Sequence, residues 1–182
     1  GYNSQRHSTL KQLTPRNVNR LELKWMLQNQ VFGAWQSNPI VIDGIMYLTE
    51  RPNDVIALDA KTGRVFWVYH HVNDPAYQVC CGANNRGVAV LGDNVFMGTL
   101  DGHLLAIDRI TGKMRWQVEV GDVNLAYSIT MAPLVVKDKV IVGVGGGEYG
   151  IRGYVVAYDA ATGRQAWKFY TIPGPGEPNH DS

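Results

Sequence analysis

The feature that most constrains the fold is a segment that occurs three times with the same internal spacing. The pattern A-x-D-x-x-T-G-x-x-x-W fits ALDAKTGRVFW, AIDRITGKMRW and AYDAATGRQAW, at residues 57–67, 106–116 and 157–167. The copies lie about 50 residues apart, a period typical of propellers and solenoids. A weaker copy, RLELKW, ends at Trp25. Such a chain folds as a series of similar units, each of which buries its apolar face against its neighbours.

Each unit also carries a hairpin signal upstream of this repeat. NPIVIDGIMYL, RGVAVLGDNVFMG and APLVVKDKVIVG each place two apolar runs around a polar turn. Within D-x-x-T-G, the Asp and Thr side chains can cap a tight turn, and the Gly supplies a positive φ. Each unit is therefore predicted to form four short antiparallel strands, as a blade of a β-propeller does. We expect Trp67, Trp116 and Trp167 to be largely buried between blades.

Residues 1–182 are interpreted as one incomplete, all-β propeller domain of three to four blades. So few units cannot close a ring, and closure is how a propeller removes its exposed strand edges, so we expect a longer protein. The net charge of +1 gives no field that would favour nucleic acid. No apolar run approaches the roughly 20 residues of a membrane helix. Neither a nucleic-acid partner nor a membrane span is expected.

Both cysteines of the chain stand side by side in QVCCGANNRG, residues 78–87. Neighbouring Cα atoms lie about 3.8 Å apart, below the span of about 4.4–6.8 Å usual for a disulfide, so a bond between Cys80 and Cys81 would be strained. Strain of that kind persists mainly at functional sites, and an oxidising compartment favours the bond. The alternative is a pair of reduced, buried thiols. The residues alone leave both possibilities open.

A second unusual segment is VGVGGGEYGIRGY, residues 142–154. Gly145, Gly147 and Gly150 match the dinucleotide-binding pattern G-x-G-x-x-G, but the following YVVAYD is strand-like, whereas that fingerprint requires a helix. The glycines instead let the backbone approach a flat ligand and present N–H groups to its carboxylates. Glu148 beside an anionic ligand would need a cation, and calcium takes oxygen ligands of this kind. The alternative is a loop carboxylate in water.

Other candidate groups are an arginine and the histidines. The guanidinium of Arg86 can hold a carboxylate through two parallel hydrogen bonds, although a solvated loop arginine is the alternative. The histidines show no metal-ligand spacing such as H-x-x-x-H, and we interpret all five as loop or strand-end residues: His7, His70, His71, His103 and His180. The sequence contains no nucleophile elbow, phosphate-binding loop or covalent haem motif.

Together, the repeats, the CCG-x-x-NRG segment and GGGEYGIRGYVVAYD resemble the N-terminal part of the quinoprotein alcohol dehydrogenases, which use pyrroloquinoline quinone (PQQ). The resemblance runs from QRHSTLKQLTPRNVNRLELKW to IPGPGEP. The repeat alone is moderately specific, because cofactor-free propellers share it, but the two site motifs are far more specific. The resemblance implies a ring of about eight blades. It also implies a periplasmic location, although the first residues of this chain carry no export signal.

The resemblance assigns roles to particular residues. It implies that Cys80 and Cys81 form a vicinal disulfide lying flat against the quinone, and that Arg86 binds one of its carboxylates. Thr130 is implied to bond the cofactor, and Glu148 to bind a metal ion, calcium or a lanthanide. The remaining cofactor-binding residues that it implies are Gly145, Gly146, Gly147 and Gln36. Two of these positions depart from the family, which often has Glu in place of the Gln and Ser-Gly-Ala in place of the three glycines.

By the same resemblance, the protein oxidises an alcohol or a related hydroxyl substrate by hydride transfer to the quinone. Cytochrome c or a quinone is implied as the electron acceptor. The family's catalytic Asp would lie beyond Ser182, so no catalytic residue is assigned and this chain alone is expected to be inactive. The alternatives are a non-catalytic propeller that serves as a scaffold or interaction module, and a relative that binds the quinone without oxidising a substrate. A scaffold has no use for CCG-x-x-NRG or GGGE.

Overall fold

The structure of the chain is a computed structural model that describes residues 9–29, 31–33, 35–178 and 180, so His7 and Ser182 lie outside the described residues. It contains three four-stranded antiparallel sheets, each with its strands in sequence order. The first blade consists of β1 (Ile40–Ile42), β2 (Ile45–Glu50), β3 (Asp54–Asp59) and β4 (Val65–His70). The second consists of β5 (Ala89–Leu91), β6 (Asn94–Gly98), β7 (His103–Asp108) and β8 (Met114–Glu119). The third consists of β9 (Leu134–Val136), β10 (Lys139–Gly143), β11 (Tyr154–Asp159) and β12 (Gln165–Tyr170).

These sheets confirm the prediction of an all-β fold built from successive blades. The helical segments within the described residues are three short 3-10 turns, Val18–Arg20, Val123–Leu125 and Gly147–Tyr149. None of the helices in the described part of the chain has the length and apolar character needed to cross a bilayer.

The repeated D-x-x-T-G segment closes the hairpin between the third and fourth strands of each blade. In the first blade, Asp59 Oδ1 accepts a hydrogen bond from the backbone N–H of Lys61 at 2.8 Å. In the second, Asp108 Oδ1 accepts from the N–H of Thr111 at 2.8 Å. The glycines of the three copies have φ angles of 74°, 72° and 72°. The predicted roles of Asp and Gly in this turn are therefore confirmed.

The tryptophans of the first two full repeats, Trp67 and Trp116, pack on the T-G turn of the next blade. The Nε1 of Trp67 donates to the carbonyl of Arg109, 3.2 Å away. Its ring also covers Gly112, where an added Cβ would lie 2.8 Å from the indole. The glycine of the repeat is thus needed both for its positive φ and for the space under the tryptophan.

The same docking recurs at the other blade boundaries. Trp116 donates to the carbonyl of Ala160 at 3.3 Å, and Trp25 of the weaker copy donates to that of Ala60 at 3.1 Å. Trp67 and Trp116 are half-buried. The expectation of burial is wrong for Trp167, which is 44% exposed. Its partner would be the turn of a following repeat, and no such turn is among the described residues.

The hydrophobic core lies between blades rather than within them. In β3, Val55 and Ala57 are buried against Leu105 of the second blade. The alternate residues Ile56 and Leu58 lie on the opposite face of the sheet and pack with Trp25 and Leu27. Strands of this kind are apolar on both faces because side chains alternate and each face meets a neighbour. Among the described residues no blade covers β12, which is exposed along its length.

Three loop regions share one end of this stack. They are the connection 71–88 between the first two blades, the connection 120–133 between the second and third, and the loop 144–153 between β10 and β11. Because β5 also contacts β9, the loops that enter these two strands are neighbours. Segments far apart in sequence therefore meet at this end.

Candidate functional site

The two adjacent cysteines form a disulfide. Cys80 and Cys81 are bonded to each other with their Cα atoms 3.8 Å apart. Both residues are exposed, and they line a cavity of about 270 Å³. The alternative of two reduced, buried thiols is therefore excluded.

The cavity brings together residues from the second and third blades. Besides the cysteines, its lining includes most of the residues that the resemblance implied: Arg86, Thr130, Gly145, Gly146 and Glu148. Cys80 Sγ lies 3.4 Å from Glu148 Oε1, although 68 residues separate them. This contact confirms the prediction that both open onto one cavity. Gln36 and Gly147 are not among the described residues that line it, and a cofactor role for them stays a prediction.

Hydrogen bonds to the first and second blades, and one within the segment itself, hold residues 80–87, the disulfide loop, in place. Arg51 Nε, from the first blade, donates to the carbonyl of Ala83 at 2.9 Å. Asn84 Nδ2 donates to the carbonyl of Cys81 at 3.0 Å. The buried Asn85 donates from Nδ2 to a backbone carbonyl at the end of β6, 2.8 Å away. The CCGANNRG segment is thus a positioned part of the fold, because hydrogen bonds at Ala83 and Asn85 tie it to the blades on either side.

Arg86 lies where the entries to the second and third blades meet. Its backbone N–H and its Nη1 both donate to the carbonyl of Thr130, at 3.1 and 3.3 Å. The side chain remains exposed at the cavity. The guanidinium is therefore held at one point and carries further N–H donors for an anion. Arg86 is therefore tied to the fold at the cavity wall, unlike the freely solvated loop arginine that was the alternative.

The three consecutive glycines serve different purposes. Gly145 donates its N–H to the carbonyl of Ser128 at 2.8 Å, so this amide is not available to a ligand carboxylate as we had expected. Gly146 has a φ of 123°, and a Cβ there would lie 2.3 Å from the carbonyl oxygen of Ala126. Gly147 begins a 3-10 turn, and a Cβ there would meet nothing within 4 Å. Only the middle position has both a backbone angle and a close contact that require glycine.

Asn84 and Ser128 also line the cavity, and the sequence did not reveal either of them. Asn84 Oδ1 is buried with no hydrogen-bond partner. An unpaired buried acceptor costs about 1–3 kcal/mol, so an N–H or O–H donor on a ligand would offset that cost. The only sequence signal of Ser128 is its place two residues before Thr130, on the same face of an extended segment.

Comparison with known proteins identifies the family. The family profile "PQQ: Glucose/ethanol/alcohol dehydrogenase, beta-propeller domain" matches residues 1–182. Quinohemoprotein alcohol dehydrogenase ADH-IIG of Pseudomonas putida is 48% identical over 176 residues, covering 95% of this chain and 24% of that protein. The lanthanide-dependent methanol dehydrogenase of Methylacidiphilum fumariolicum is 44% identical over 181 residues, covering 97% and 30%. The solved structure of ADHIIG from Pseudomonas putida HK5 has a TM-score of 0.89 at 46% identity, covering 98% and 27%.

These matches cover nearly all of this chain but a smaller part of each relative. The chain spans between 24% and 30% of the length of these two relatives. The match to the family profile includes all three blades, the disulfide loop and the loop 144–153 that contains the three glycines. The chain belongs to the family of PQQ-dependent glucose, ethanol and alcohol dehydrogenases, as part of the family's β-propeller domain.

Proposed function

We propose that the protein containing this chain oxidises alcohols or related hydroxyl substrates with PQQ and a bound metal ion. This chain supplies one wall of the cofactor site, as the N-terminal part of the enzyme. The observation that carries the proposal is an exposed vicinal disulfide that lies beside a carboxylate in the wall of one cavity, with Cys80 Sγ 3.4 Å from Glu148 Oε1. A scaffold propeller needs its repeats but has no use for this arrangement.

The residues of the cavity fit a flat, tricyclic anion that carries three carboxylates. The disulfide presents two polarizable sulfur atoms at the cavity wall, a surface suited to contact with a planar ring. Arg86 offers a cation with N–H donors for one carboxylate. Asn84 Oδ1, buried and without a partner, would accept a hydrogen bond from a donor group of the ligand. When bound, PQQ supplies the carbon that accepts the hydride of the alcohol.

Glu148 is the proposed metal ligand. Calcium takes about 6–8 oxygen ligands, of which one carboxylate supplies at most two, so the cofactor and residues outside this chain must provide the others. The two sulfur atoms lie within 4.8 Å of Glu148. They do not act as metal ligands here, because they are held in the disulfide and a metal binds the thiolate form. We propose calcium at this site and treat a lanthanide as the alternative that an experiment distinguishes.

The proposed reaction also needs a base, and none is assigned among the described residues of this cavity. Among the described lining residues, Glu148 is the only carboxylate, and we assign it to the metal. We propose that the base that takes the hydroxyl proton belongs to a part of the enzyme outside this chain. Electrons are proposed to leave to cytochrome c or a quinone. The vicinal disulfide supports a periplasmic location, because disulfides persist in oxidising compartments.

The test is reconstitution of the purified full-length protein after removal of metal and PQQ. PQQ is added with Ca²⁺ or La³⁺, and alcohol-dependent reduction of an artificial electron acceptor is measured. We expect Glu148→Gln to weaken activation by the metal at least about 100-fold. The matched control is Glu22→Gln, since Glu22 lies in an exposed ion pair with Lys24. Activation equal in both variants would overturn the assignment of Glu148.

Binding and turnover separate the competing functions. A protein that binds PQQ but oxidises none of a panel of primary alcohols, secondary alcohols and sugars would be a quinone-binding relative without activity. A protein that fails to bind PQQ in the presence of either metal would be a scaffold, and the proposed function would be wrong.

A further inference from the structure

Three side chains converge at a second place, formed by the connection after the first blade and the β6–β7 turn of the second. His71 directly follows β4, Asp101 lies in the turn, and His103 begins β7. His71 Nε2 lies 3.0 Å from each carboxylate oxygen of Asp101. His103 Nδ1 lies 3.3 Å from Asp101 Oδ1. None of the three lines the cofactor cavity.

The carboxylate at the centre of this cluster is fixed and shielded from water. The Asp101 side chain is 3% exposed. The backbone N–H of Asp74 donates to its Oδ2 at 2.9 Å, and the Thr99 hydroxyl donates to its Oδ1. Such hydrogen bonds orient a carboxylate in the way that outer-shell partners orient metal ligands.

One ring nitrogen of the cluster lies beside the carboxylate without a well-aligned hydrogen bond. His103 Nδ1 is buried, and its contact with Asp101 lacks hydrogen-bond geometry. A bound ion lying between this buried nitrogen and the carboxylate would satisfy both groups better than the poorly aligned direct contact does. The His103 side chain is also 23% exposed, whereas that of His71 is 7% exposed. Solvent therefore reaches the cluster from the side of His103.

We propose that His71, Asp101 and His103 form a binding site for a single divalent transition-metal ion such as Zn²⁺. The three ligand atoms, one from each residue, lie within 4.8 Å of one another. A tetrahedral ion with bonds of about 2.0–2.1 Å holds its ligand atoms about 3.3 Å apart, close to the two separations given above. Two imidazoles and a carboxylate suit zinc better than calcium, which takes oxygen ligands. A water molecule reaching the exposed side would complete the coordination.

The adjacent histidine provides the contrast. His70 Nδ1 lies 2.8 Å from Asp54 Oδ2, and its side chain is 71% exposed. That contact is an ordinary histidine–carboxylate pair, and no third ligand group joins it among the described residues. His71 differs because a second histidine approaches the same carboxylate. An ion at this site would link the end of the first blade, the β6–β7 turn and the segment that leads to Cys80.

The experiment measures zinc binding to the purified full-length protein by isothermal titration calorimetry, with the cofactor site already loaded with PQQ and Ca²⁺. We expect one additional equivalent of Zn²⁺ to bind. His103→Gln is expected to weaken that binding at least about 100-fold. The matched control His70→Gln should leave it within about twofold. His71→Asn should act like His103→Gln, but His71 is more deeply buried, so folding of this variant is checked by circular dichroism.

X-ray absorption at the zinc edge of the wild-type protein gives an independent measurement that needs no variant. Two imidazole ligands and no sulfur are expected in the first shell. The absence of stoichiometric zinc binding, a shell without two imidazoles, or equal effects of His103→Gln and His70→Gln would each overturn the proposal. Zinc binding that survives in Glu148→Gln separates this site from the proposed cofactor metal.

Discussion

Replacing Gly146 by alanine should disturb the cofactor cavity, whereas replacing its neighbour Gly147 should not. Gly146 has a φ of 123°, and an added Cβ would lie 2.3 Å from the carbonyl oxygen of Ala126. Ala126 is buried, so its backbone has little room to move. Gly147 has no positive φ, and a Cβ there would meet nothing within 4 Å. The two substitutions add the same methyl group one residue apart in one loop.

The magnitude follows from two contributions at Gly146. A non-glycine residue in a sparsely populated backbone region costs about 1–3 kcal/mol. Relief of the overlap requires a shift of about 1 Å in a packed region, which costs about 1–3 kcal/mol. If the loop of the variant relaxes to another conformation in the free protein, PQQ binding must return it to the wild-type conformation. The sum of the two contributions, at least about 2 kcal/mol, then appears as a roughly 30-fold loss of PQQ affinity. If the loop cannot relax, the cost appears as lost stability.

The assay therefore has two readouts. PQQ is titrated into the metal-loaded apoprotein while intrinsic tryptophan fluorescence is followed, and thermal denaturation of the apoprotein is measured in parallel. Gly147→Ala should change the free energies of binding and unfolding by no more than about 0.5 kcal/mol each. If Gly146→Ala matched Gly147→Ala in both PQQ binding and thermal stability, the argument from the backbone angle and the Ala126 contact would be refuted.

Further predictions concern the repeat and the disulfide loop. Gly112→Ala should lower the free energy of unfolding, measured by urea denaturation, by about 1–3 kcal/mol more than Gly44→Ala does. Both glycines have a positive φ, but only Gly112 lies under an indole ring, so equal losses of stability would contradict the docking role. Asn85→Ala leaves two buried backbone groups unpaired and should cost about 2–6 kcal/mol, whereas a near-neutral result would mean that water replaces the amide. The backbone N–H of Thr111 and the Arg115 guanidinium lower the pKa of Asp108 in the folded protein. The charged Asp108 carboxylate therefore stabilises the fold above a pH of about 4, and this stabilisation is lost on further acidification. The melting temperature of Asp108→Asn should consequently fall less between about pH 6 and 2 than that of the wild type.

The repeats made most of the fold predictable, because their information is local. The turn at Asp59 and Gly63 depends on side chains and backbone angles within five residues, and the hairpins depend on alternation along short runs. The meeting of Cys80 and Glu148 was also predictable, since loops at one end of neighbouring blades lie close together. The exposure of Trp167 was not foreseen, because burial there depends on a turn outside the described residues.

The remainder of the site depended on pairings that sequence spacing does not encode. The N–H of Gly145 is used by Ser128, which belongs to a different loop. His71 and His103 were interpreted as separate loop or strand-end residues because the usual metal patterns place ligands at short intervals on one element. Here two blades bring them to one carboxylate. Motifs predict which loops meet, and only the structure shows which atoms in them are already paired.

The direction of the tryptophan docking has a consequence for biosynthesis. Trp25, Trp67 and Trp116 are each covered by a turn that lies later in the chain, at Gly63, Gly112 and Gly163 respectively. During synthesis from the N-terminus, a newly formed blade therefore keeps one bare tryptophan until the ribosome has delivered the next repeat. A nascent propeller always displays a single aromatic patch at its growing end, which advances by one blade per repeat. In this chain the exposed strand β12, with Trp167, is a patch of this kind.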